Sequence, residues 1–402
     1  MASNIARDAA ATAALLPVGA AYAGAPADLL NRNGAFQITG GKGKRSRPAD
    51  AIGPGEDDPS VFNPATCARK GHHTVPVHPK CSHSKPFRLY YEVHGHGPIK
   101  LVFLMGLATS CAGWLAQVEH FSHPTNGNTD KYSTLVFDQR GFGSSDVPKG
   151  RYTTSDMAYD LLSLLDELRW TEEPRQIHLV GVSMGGMVTL ELSKIAPQLF
   201  ASITLISTTS GHSIGSKSLT TGLPPFRGVY AFTDVIVSSI LKTKSPRQHL
   251  DAMINLLFPQ VWLDEPHPDD PRGRSRKECL REMFIWRFRY SRHAPPDGVL
   301  RQITAVFTHA VSRRQLERIN ADIPSITILT GDEDHLVNPA NSEHLAKHLD
   351  RARFIKLTQS GHALPLQRAF ELNLYITQTV ELGLERAQQG YWKDRTGGRA
   401  AL

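Results

Sequence analysis

Short apolar runs rich in Val, Ile, Leu and Phe recur along this chain, and longer segments with helical periodicity separate them. Strands that are apolar at successive positions are typical of a parallel sheet buried on both faces. The alternation of such runs with helices predicts an α/β fold, with a mostly parallel central sheet flanked by helices. The runs that we interpret as buried strands are 99–105, 133–137, 176–182, 201–206, 325–330 and 352–357.

Two of the helices between these strands are clear in the pattern. Residues 154–169 place apolar side chains at helical spacing and charges on the opposite face, as an amphipathic helix does. A second helix follows Ser183 and should end before Pro197, because proline lacks the N–H that continues a helix. A further strand-like run at 87–93 precedes the buried runs. Together they predict regular alternation of strand and helix up to about residue 210.

The alternation of strand and helix stops between residues 211 and 320, in a long Arg-rich segment with helical stretches. We interpret this segment as a helical lid inserted after the strand at 201–206. Its predicted helical stretches are 235–241, 250–258 and 279–290.

The chain is predicted to contain one α/β core interrupted by this lid, with a tail at each end. Residues 1–60 are rich in Ala, Gly, Pro and Asp and show little apolar periodicity, which predicts a disordered tail. The remaining predicted parts are the first part of the core at 61–210, the lid at 211–320, the second part of the core at 321–386 and a C-terminal tail at 387–402.

The composition is that of a soluble globular protein of 402 residues, 40% hydrophobic and 21% charged. No uninterrupted apolar run in the sequence reaches about 18 residues, so no membrane-spanning helix is predicted. Four scattered cysteines without a C-x-x-C pair favour a reducing compartment, and we predict a cytoplasmic protein. The Ala-rich start behind Arg7 leaves a mitochondrial signal as the alternative. The oligomeric state stays open.

The net charge of +7 is concentrated in the predicted lid, where residues 211–320 hold 17 Lys and Arg against 10 Asp and Glu. A basic face can attract acidic substrates, anionic membrane surfaces or nucleic acid. The sequence contains no nucleic-acid-binding motif, so the predicted partner is a small molecule, apolar or amphiphilic. The basic stretch at 272–292 either packs the lid onto the core or contacts amphiphilic or anionic small molecules or a membrane surface.

A stretch dense in Cys and His at 67–83 invites a zinc hypothesis. Structural zinc sites usually show paired ligands at short fixed spacing, and this spacing matches no established finger or ribbon. We therefore predict no metal and no other cofactor. The residues concerned are Cys67, His72, His73, His78, Cys81 and His83.

The segment Gly181-Val182-Ser183-Met184-Gly185 lies where a predicted strand meets a predicted helix. A serine between glycines in that context is the sequence form of a nucleophile elbow, a strained turn that exposes the hydroxyl. The two glycines are needed because a Cβ at either position would crowd the sharp turn. Ser183 is therefore the candidate nucleophile.

The elbow and its surroundings resemble the α/β-hydrolase superfamily, over about residues 86–386. The resemblance implies a serine hydrolase similar to esterases and lactonases, in which Asp138 and Arg140 brace a loop rather than react. Besides the elbow, the resemblance rests on 137–146, similar to the turn after the family's fourth strand, on 330–339, similar to its acid loop, and on 359–363, similar to its histidine loop.

The resemblance assigns the remaining members of a catalytic triad by chain order, serine then acid then histidine. His362 is the candidate general base that would accept the proton of Ser183. Asp332, Glu333 and Asp334 compete for the acid that orients the histidine. The third residue after the loop glycine carries this role in the family, which favours Asp334, and Asp332 is predicted to cap the turn.

An oxyanion hole needs two backbone N–H donors aimed at the developing negative oxygen. The resemblance assigns one to Met184, directly after the nucleophile, and the other to Leu107 in the loop after the third strand. Many family members have His-Gly in that loop, and this chain has Met105-Gly106.

Because position 183 is serine, the sequence does not fit family members that use a carboxylate nucleophile, such as epoxide hydrolases and haloalkane dehalogenases. The leading hypothesis is hydrolysis of a carboxylic ester, including a lipid ester or lactone, through an acyl-enzyme. The second is a C–C bond or enol-lactone hydrolase with the same triad. The third is a ligand-binding receptor built on a hydrolase fold.

Overall fold

A computed structural model describes residues 60–211, 244–288 and 296–390 of the protein. The predicted helix at 235–241 and most of both predicted tails lie outside these ranges.

The described residues contain one eight-stranded sheet with the order β1-β2-β4-β3-β5-β6-β7-β8. Strands β1 and β2 pair antiparallel, as do β2 and β4, and all other neighbours are parallel. The sheet confirms the predicted fold class. Its strands are β1 (Cys67–Val75), β2 (Phe87–His94), β3 (Ile99–Leu104), β4 (Tyr132–Phe137), β5 (Ile177–Val182), β6 (Phe200–Ile206), β7 (Ser325–Gly331) and β8 (Arg353–Leu357).

The two edge strands differ from the prediction. The first half of the Cys- and His-rich stretch forms strand β1, whose residues are mostly half-buried or exposed. Such a pattern lacks the apolar run that marks a buried strand, so the sequence does not reveal it. Strand β8, predicted as buried, has exposed or half-buried residues throughout, because it pairs with β7 on one side only.

Helices cover both faces of the sheet, and the described ranges include five of them between β6 and β7. The α-helices are α1 (Leu115–Ser122), α2 (Asn128–Lys131), α3 (Thr154–Glu167), α4 (Met184–Ile195), α5 (Pro246–Leu257), α6 (Gln260–Asp264), α7 (Arg276–Phe288), α8 (Pro296–Phe307), α9 (Arg313–Asp322), α10 (Pro339–His348), α11 (Leu364–Gln367) and α12 (Ala369–Gln388).

Local sequence explains where several helices begin. Helix α3 starts at a capping box, in which the Thr153 hydroxyl accepts the N–H of Asp156 and the Asp156 carboxylate accepts the N–H of Thr153. Helices α5 and α9 start at capping boxes of the same kind, at Ser245 and Ser312. Each such cap stabilises a helix by about 1 kcal/mol, since it satisfies backbone donors that have no partner inside the helix.

Two apolar layers sandwich the sheet. Side chains alternate along a strand, so Val102 of β3 joins one layer and Phe103 joins the other. The inserted helices have a smaller core of their own, in which α5, α6 and α7 pack around Ile254, Leu263 and Leu280. Among the described residues, no helix is both long and apolar enough to cross a membrane.

Candidate active site

Ser183 lies on a sharp turn between β5 and α4, with φ of 56° and ψ of −122°. L-residues rarely adopt this conformation, and its cost is of the order of 1–3 kcal/mol. Surrounding contacts hold it in place: the N–H of Ser183 donates to the Ile206 carbonyl at 2.9 Å, and the Thr208 hydroxyl donates to the Ser183 carbonyl at 2.7 Å. The strain fits the predicted elbow.

Close backbone packing explains the glycines on either side of the elbow. A Cβ at Gly185 would clash with the carbonyl oxygen of Leu104, at the end of the neighbouring strand β3. A Cβ at Gly181 would lie 2.5 Å from the carbonyl oxygen of Gly185. Both glycines are therefore required by space.

Asp334 and His362 contact each other directly. Nδ1 of His362 lies 2.8 Å from Oδ2 of Asp334, and both residues are buried. The other carboxylate oxygen accepts the N–H groups of Leu336 at 2.9 Å and Val337 at 2.8 Å. Three hydrogen bonds thus fix the carboxylate so that it faces the imidazole.

The sheet register brings the elbow, the acid loop and the histidine loop to one edge. Val182 pairs with Ile206, which pairs with Leu329, which pairs with Ile355. Parallel strands therefore end at the same level, and the loops that follow them meet. Ser183 is 9% and His362 is 6% exposed at this edge. Within the described ranges, the structure shows no hydrogen bond between the Ser183 hydroxyl and His362.

Asp332 has a different role from the predicted one. Its carboxylate accepts the N–H of Ser360 at 3.2 Å, and its own N–H donates to the Leu357 carbonyl. It therefore joins the acid loop to the histidine loop. The turn cap predicted for Asp332 is made by Asp334, which accepts the N–H groups two and three residues ahead of it. The prediction for Asp332 was wrong because the contact that decides it is 28 residues away.

Two residues that the motifs do not mark support the histidine loop. Oε1 of Gln367 accepts the N–H of Gly361 at 2.8 Å, and its Nε2 donates to the Gln359 carbonyl at 2.8 Å. The N–H of His362 donates to the carbonyl of Leu257, at the end of inserted helix α5, at 2.9 Å. A backbone carbonyl carries no sequence signal, and a glutamine near a loop is too common to stand out.

The loop after β3 packs against the elbow. A Cβ at Gly106 would lie only 3.1 Å from the Cβ of Ser183. Side chains from the turn after β4 hold both ends of the loop: Gln139 donates to the Met105 carbonyl at 2.7 Å, and Asp138 accepts the N–H of Cys111 at 2.7 Å. Burial raises the pKa of Asp138, and the backbone N–H groups that it accepts oppose that shift. Asp138 thus braces this loop.

The predicted oxyanion donors are both next to residues of the elbow contact: Met184 directly follows Ser183, and Leu107 directly follows Gly106, which packs against Ser183. Met184 is fully buried at the first position of α4, and Leu107 is half-buried in the loop after β3. Their role as donors stays a prediction.

Arg140 is fully buried between the turn after β4 and helix α3. Its guanidinium makes a two-pronged contact with Asp160, with an Nε to Oδ2 distance of 2.6 Å, and lies 5.0 Å from the ring centroid of Phe87. Burial raises the pKa of Asp160, and the charge of Arg140 opposes that rise. Arg140 points into the protein, as expected of a bracing residue.

The structure separates the residues of the zinc hypothesis. His72 contacts the Ser144 carbonyl, His73 the Ser163 hydroxyl and His83 the Pro76 carbonyl. Each of these imidazoles has its own polar neighbour.

One group of described residues could contact a common metal ion: Cys67, Glu92 and His94, whose ligand atoms lie within 4.8 Å of one another. Hydrogen bonds already occupy this group, since Glu92 accepts from the hydroxyls of Ser60 and Tyr90. Burial raises the pKa of Cys67, which disfavours the thiolate that a metal would need.

Arginines of the inserted helices contact carboxylates nearby. Arg274 pairs with Asp270 at 2.8 Å, Arg276 pairs with Glu265, and Arg281 pairs with Asp251. Arg276 also lies 4.9 Å from the ring centroid of Trp262, and Met283 and Phe284 pack against the small core of these helices. These contacts lie within the inserted segment, so whether the basic stretch packs onto the core or attracts substrate stays a prediction.

The chain matches the family model for the alpha/beta hydrolase fold over residues 100–369. A candidate carbamate hydrolase, RutD of Stutzerimonas stutzeri, is 27% identical over 285 residues, which is 68% of this chain and 90% of that protein.

Solved structures show the same architecture. A thermophilic esterase from Thermogutta terrifontis superposes with a TM-score of 0.57 at 22% identity, covering 79% of this chain and 99% of that one. The enol-lactonase from Burkholderia xenovorans gives a TM-score of 0.55 at 20% identity, covering 73% and 97%. At these identities the likeness concerns the fold alone.

Proposed function

Since this chain belongs to the α/β-hydrolase fold family, we propose that it is a serine hydrolase that cleaves a carboxylic ester through an acyl-enzyme on Ser183. The observation that carries the proposal is the 2.8 Å contact between His362 and Asp334, at the sheet edge where Ser183 occupies a strained turn. A nucleophile, a base and an acid that orients the base are the parts that acyl transfer requires.

The reaction has two halves. The Ser183 oxygen attacks the acyl carbon, and its proton moves to Nε2 of His362. The tetrahedral intermediate then expels the alcohol oxygen, which takes this proton, and the acyl group remains on Ser183. Water gives a proton to His362 and attacks the acyl carbon, and the acid leaves as Ser183 regains its proton.

Asp334 stabilises the imidazolium that forms in each half. Its carboxylate is buried and held by two backbone N–H groups, so it is already oriented before the reaction. Preorganised groups stabilise a transition state well because they need no rearrangement when charge develops. The N–H groups of Met184 and Leu107 are proposed to bind the negative oxygen.

A carbamate is the second candidate substrate. The likeness to RutD of Stutzerimonas stutzeri, which covers 68% of this chain, favours it. A carbamate carbonyl can be attacked by the same serine and differs from that of an ester in the nitrogen bonded to the carbonyl carbon. An enol-lactone fits the same three residues as well.

Labelling with a fluorophosphonate tests the proposal. The wild-type protein should label and should turn over p-nitrophenyl esters, and Ser183→Ala should abolish both while the fold is retained. A ligand-binding receptor would show no turnover. If the wild-type protein turned over none of a panel of esters, carbamates and enol-lactones, the proposal would be overturned.

Ser207→Ala is the matched control for that experiment. Ser207 is also buried, also has a positive φ (45°), and follows the neighbouring strand β6. It should label like the wild type. Labelling that persists in Ser183→Ala would place the nucleophile elsewhere.

A further inference from the structure

Gln302 of inserted helix α8 connects two loops beside the proposed active site. Its Oε1 accepts the N–H of Ala108, in the loop after β3, at 3.0 Å. Its Nε2 donates to the Arg140 carbonyl, in the turn after β4, at 2.9 Å. The side chain is 1% exposed, so water does not compete for either hydrogen bond.

The hydrogen bond to Ala108 acts on a strained part of the loop. Ala108 has a φ of 50°, in the left-handed region that disfavours a residue with a Cβ. Its N–H belongs to the peptide group that follows Leu107, and the Thr109 hydroxyl donates to the carbonyl of that same peptide at 3.1 Å. Fixing this peptide restrains the backbone of Leu107, whose own N–H is the proposed oxyanion donor.

Helix α8 approaches the turn after β4 closely enough for Gln302 to reach both loops. A Cβ at Gly298 would clash with the carbonyl oxygen of Gly141. One turn further along the helix, Gln302 faces the same region. The neighbouring Arg301 donates to the carbonyl of Gly150 and docks the helix at a separate point.

We propose that Gln302 is a positioning residue for the oxyanion hole. It holds the peptide between Leu107 and Ala108 and so couples the inserted helix to the loop that carries a catalytic donor. This inference rests on the proposed function, since it assigns a role within the same site. Gln302 does not touch the reacting atoms and acts through Ala108.

The structural part can be measured without substrate. Gln302→Met keeps the size and apolar packing of the side chain and removes both hydrogen bonds. Hydrogen–deuterium exchange of the segment 106–110 should then be at least tenfold faster than in the wild type. Arg301→Met is the matched control, because it also removes one hydrogen bond between α8 and the core, and exchange in 106–110 should be unchanged. Unchanged exchange in Gln302→Met would overturn the inference.

The effect of Gln302 on the oxyanion hole is measured with reagents whose oxygens occupy such a hole. In Gln302→Met, the rate of fluorophosphonate labelling and the affinity for a boronic acid should both fall about tenfold to a hundredfold, with KM for a small ester little changed. The loss should be smaller than the 10²–10³ that follows removal of a donor, because the donor is displaced rather than deleted.

Three other outcomes would each contradict one part of the inference. Faster exchange with unchanged labelling would overturn the positioning role. Equal losses in Arg301→Met would assign the effect to docking of the helix instead of Gln302. A wild-type protein that neither labels nor hydrolyses any ester would refute the proposed function, and the catalytic role of Gln302 with it, whatever the exchange experiment shows.

Discussion

Asp332 and Asp334 lie two residues apart on the loop after β7, and they hold the histidine loop by different contacts. Asp334 faces the imidazole of His362 at 2.8 Å, and Asp332 accepts the backbone N–H of Ser360 at 3.2 Å. One carboxylate thus orients a ring, and the other positions the backbone that carries the ring. Their substitution should have different consequences.

Asp334→Asn should lower kcat by about 10⁴, because an amide can present N–H to Nδ1 and favour the wrong histidine tautomer. Asp332→Asn should change kcat far less, since its amide oxygen can still accept the N–H of Ser360. Steady-state kinetics on both variants, with thermal unfolding as the control for folding, check the difference. The opposite ranking would assign the orienting acid to Asp332.

Gly185→Ala should prevent normal folding of the elbow, because the added methyl group would clash with the Leu104 carbonyl at the end of β3. Gly127→Ala is the control: Gly127 has a positive φ (73°), unlike Gly185 in helix α4, and a Cβ there meets nothing within 4 Å. It should cost about 1–2 kcal/mol from backbone conformation alone. Denaturant unfolding of both variants compares the steric effect with the conformational one. Equal losses in the free energy of unfolding would contradict the close packing of Gly185 against Leu104.

Arg140→Met should destabilise the protein by about 3–5 kcal/mol, because it leaves the buried carboxylate of Asp160 without its partner. Arg69→Met is the matched control, since Arg69 pairs with Glu167 at 2.9 Å but both side chains are about half exposed. The exposed pair should contribute about 0–1 kcal/mol. Urea unfolding at constant pH measures both changes, and similar losses would mean that the burial of Asp160 is unimportant.

Two buried histidines should make stability depend on pH. Burial lowers the pKa of His178 and of His309 from 6.5 to about 3, so both stay neutral in the folded protein at pH values where the unfolded chain binds protons. Stability is therefore present above pH 6.5 and is lost as the pH falls toward 3. Each histidine should contribute a slope of about 1.4 kcal/mol per pH unit below its unfolded pKa.

Unfolding free energies between pH 7 and 5 check that slope, because most carboxylates stay ionised in this range. His178→Gln and His309→Gln should each reduce the slope by about 1.4 kcal/mol per pH unit, which corresponds to one proton. A wild-type slope of zero would contradict the burial of neutral histidines.

Reversal of Arg274 and Arg276 to Glu should lower the melting temperature, because each arginine has a carboxylate partner within the inserted segment. KM should change to the same extent for an anionic ester and a small neutral one. A selective rise in KM for the anionic ester, which added salt reduces, would instead show that the basic stretch attracts substrate. Lys277→Glu is the control and should leave the melting temperature unchanged, because the described part of the chain shows no ion pair for Lys277.

The sequence by itself determined the features that short segments encode. Apolar runs fixed the buried strands, because a strand covered on both faces needs apolar residues throughout. Glycines around Ser183 indicated the elbow, because only glycine fits the space there. Position within a short motif was enough to favour Asp334 over its neighbours.

Only the tertiary structure decided contacts between distant segments. Gln302 accepts the N–H of Ala108, 194 positions away in the chain. The Asp332 carboxylate accepts the N–H of Ser360 instead of an N–H in its own turn. The edge strand β1 became visible only through its pairing with β2. Such contacts depend on how close two backbones approach and on which side chains remain buried between them. A hydrogen bond of this kind leaves no periodicity or spacing in the chain, so the packed structure alone can reveal it.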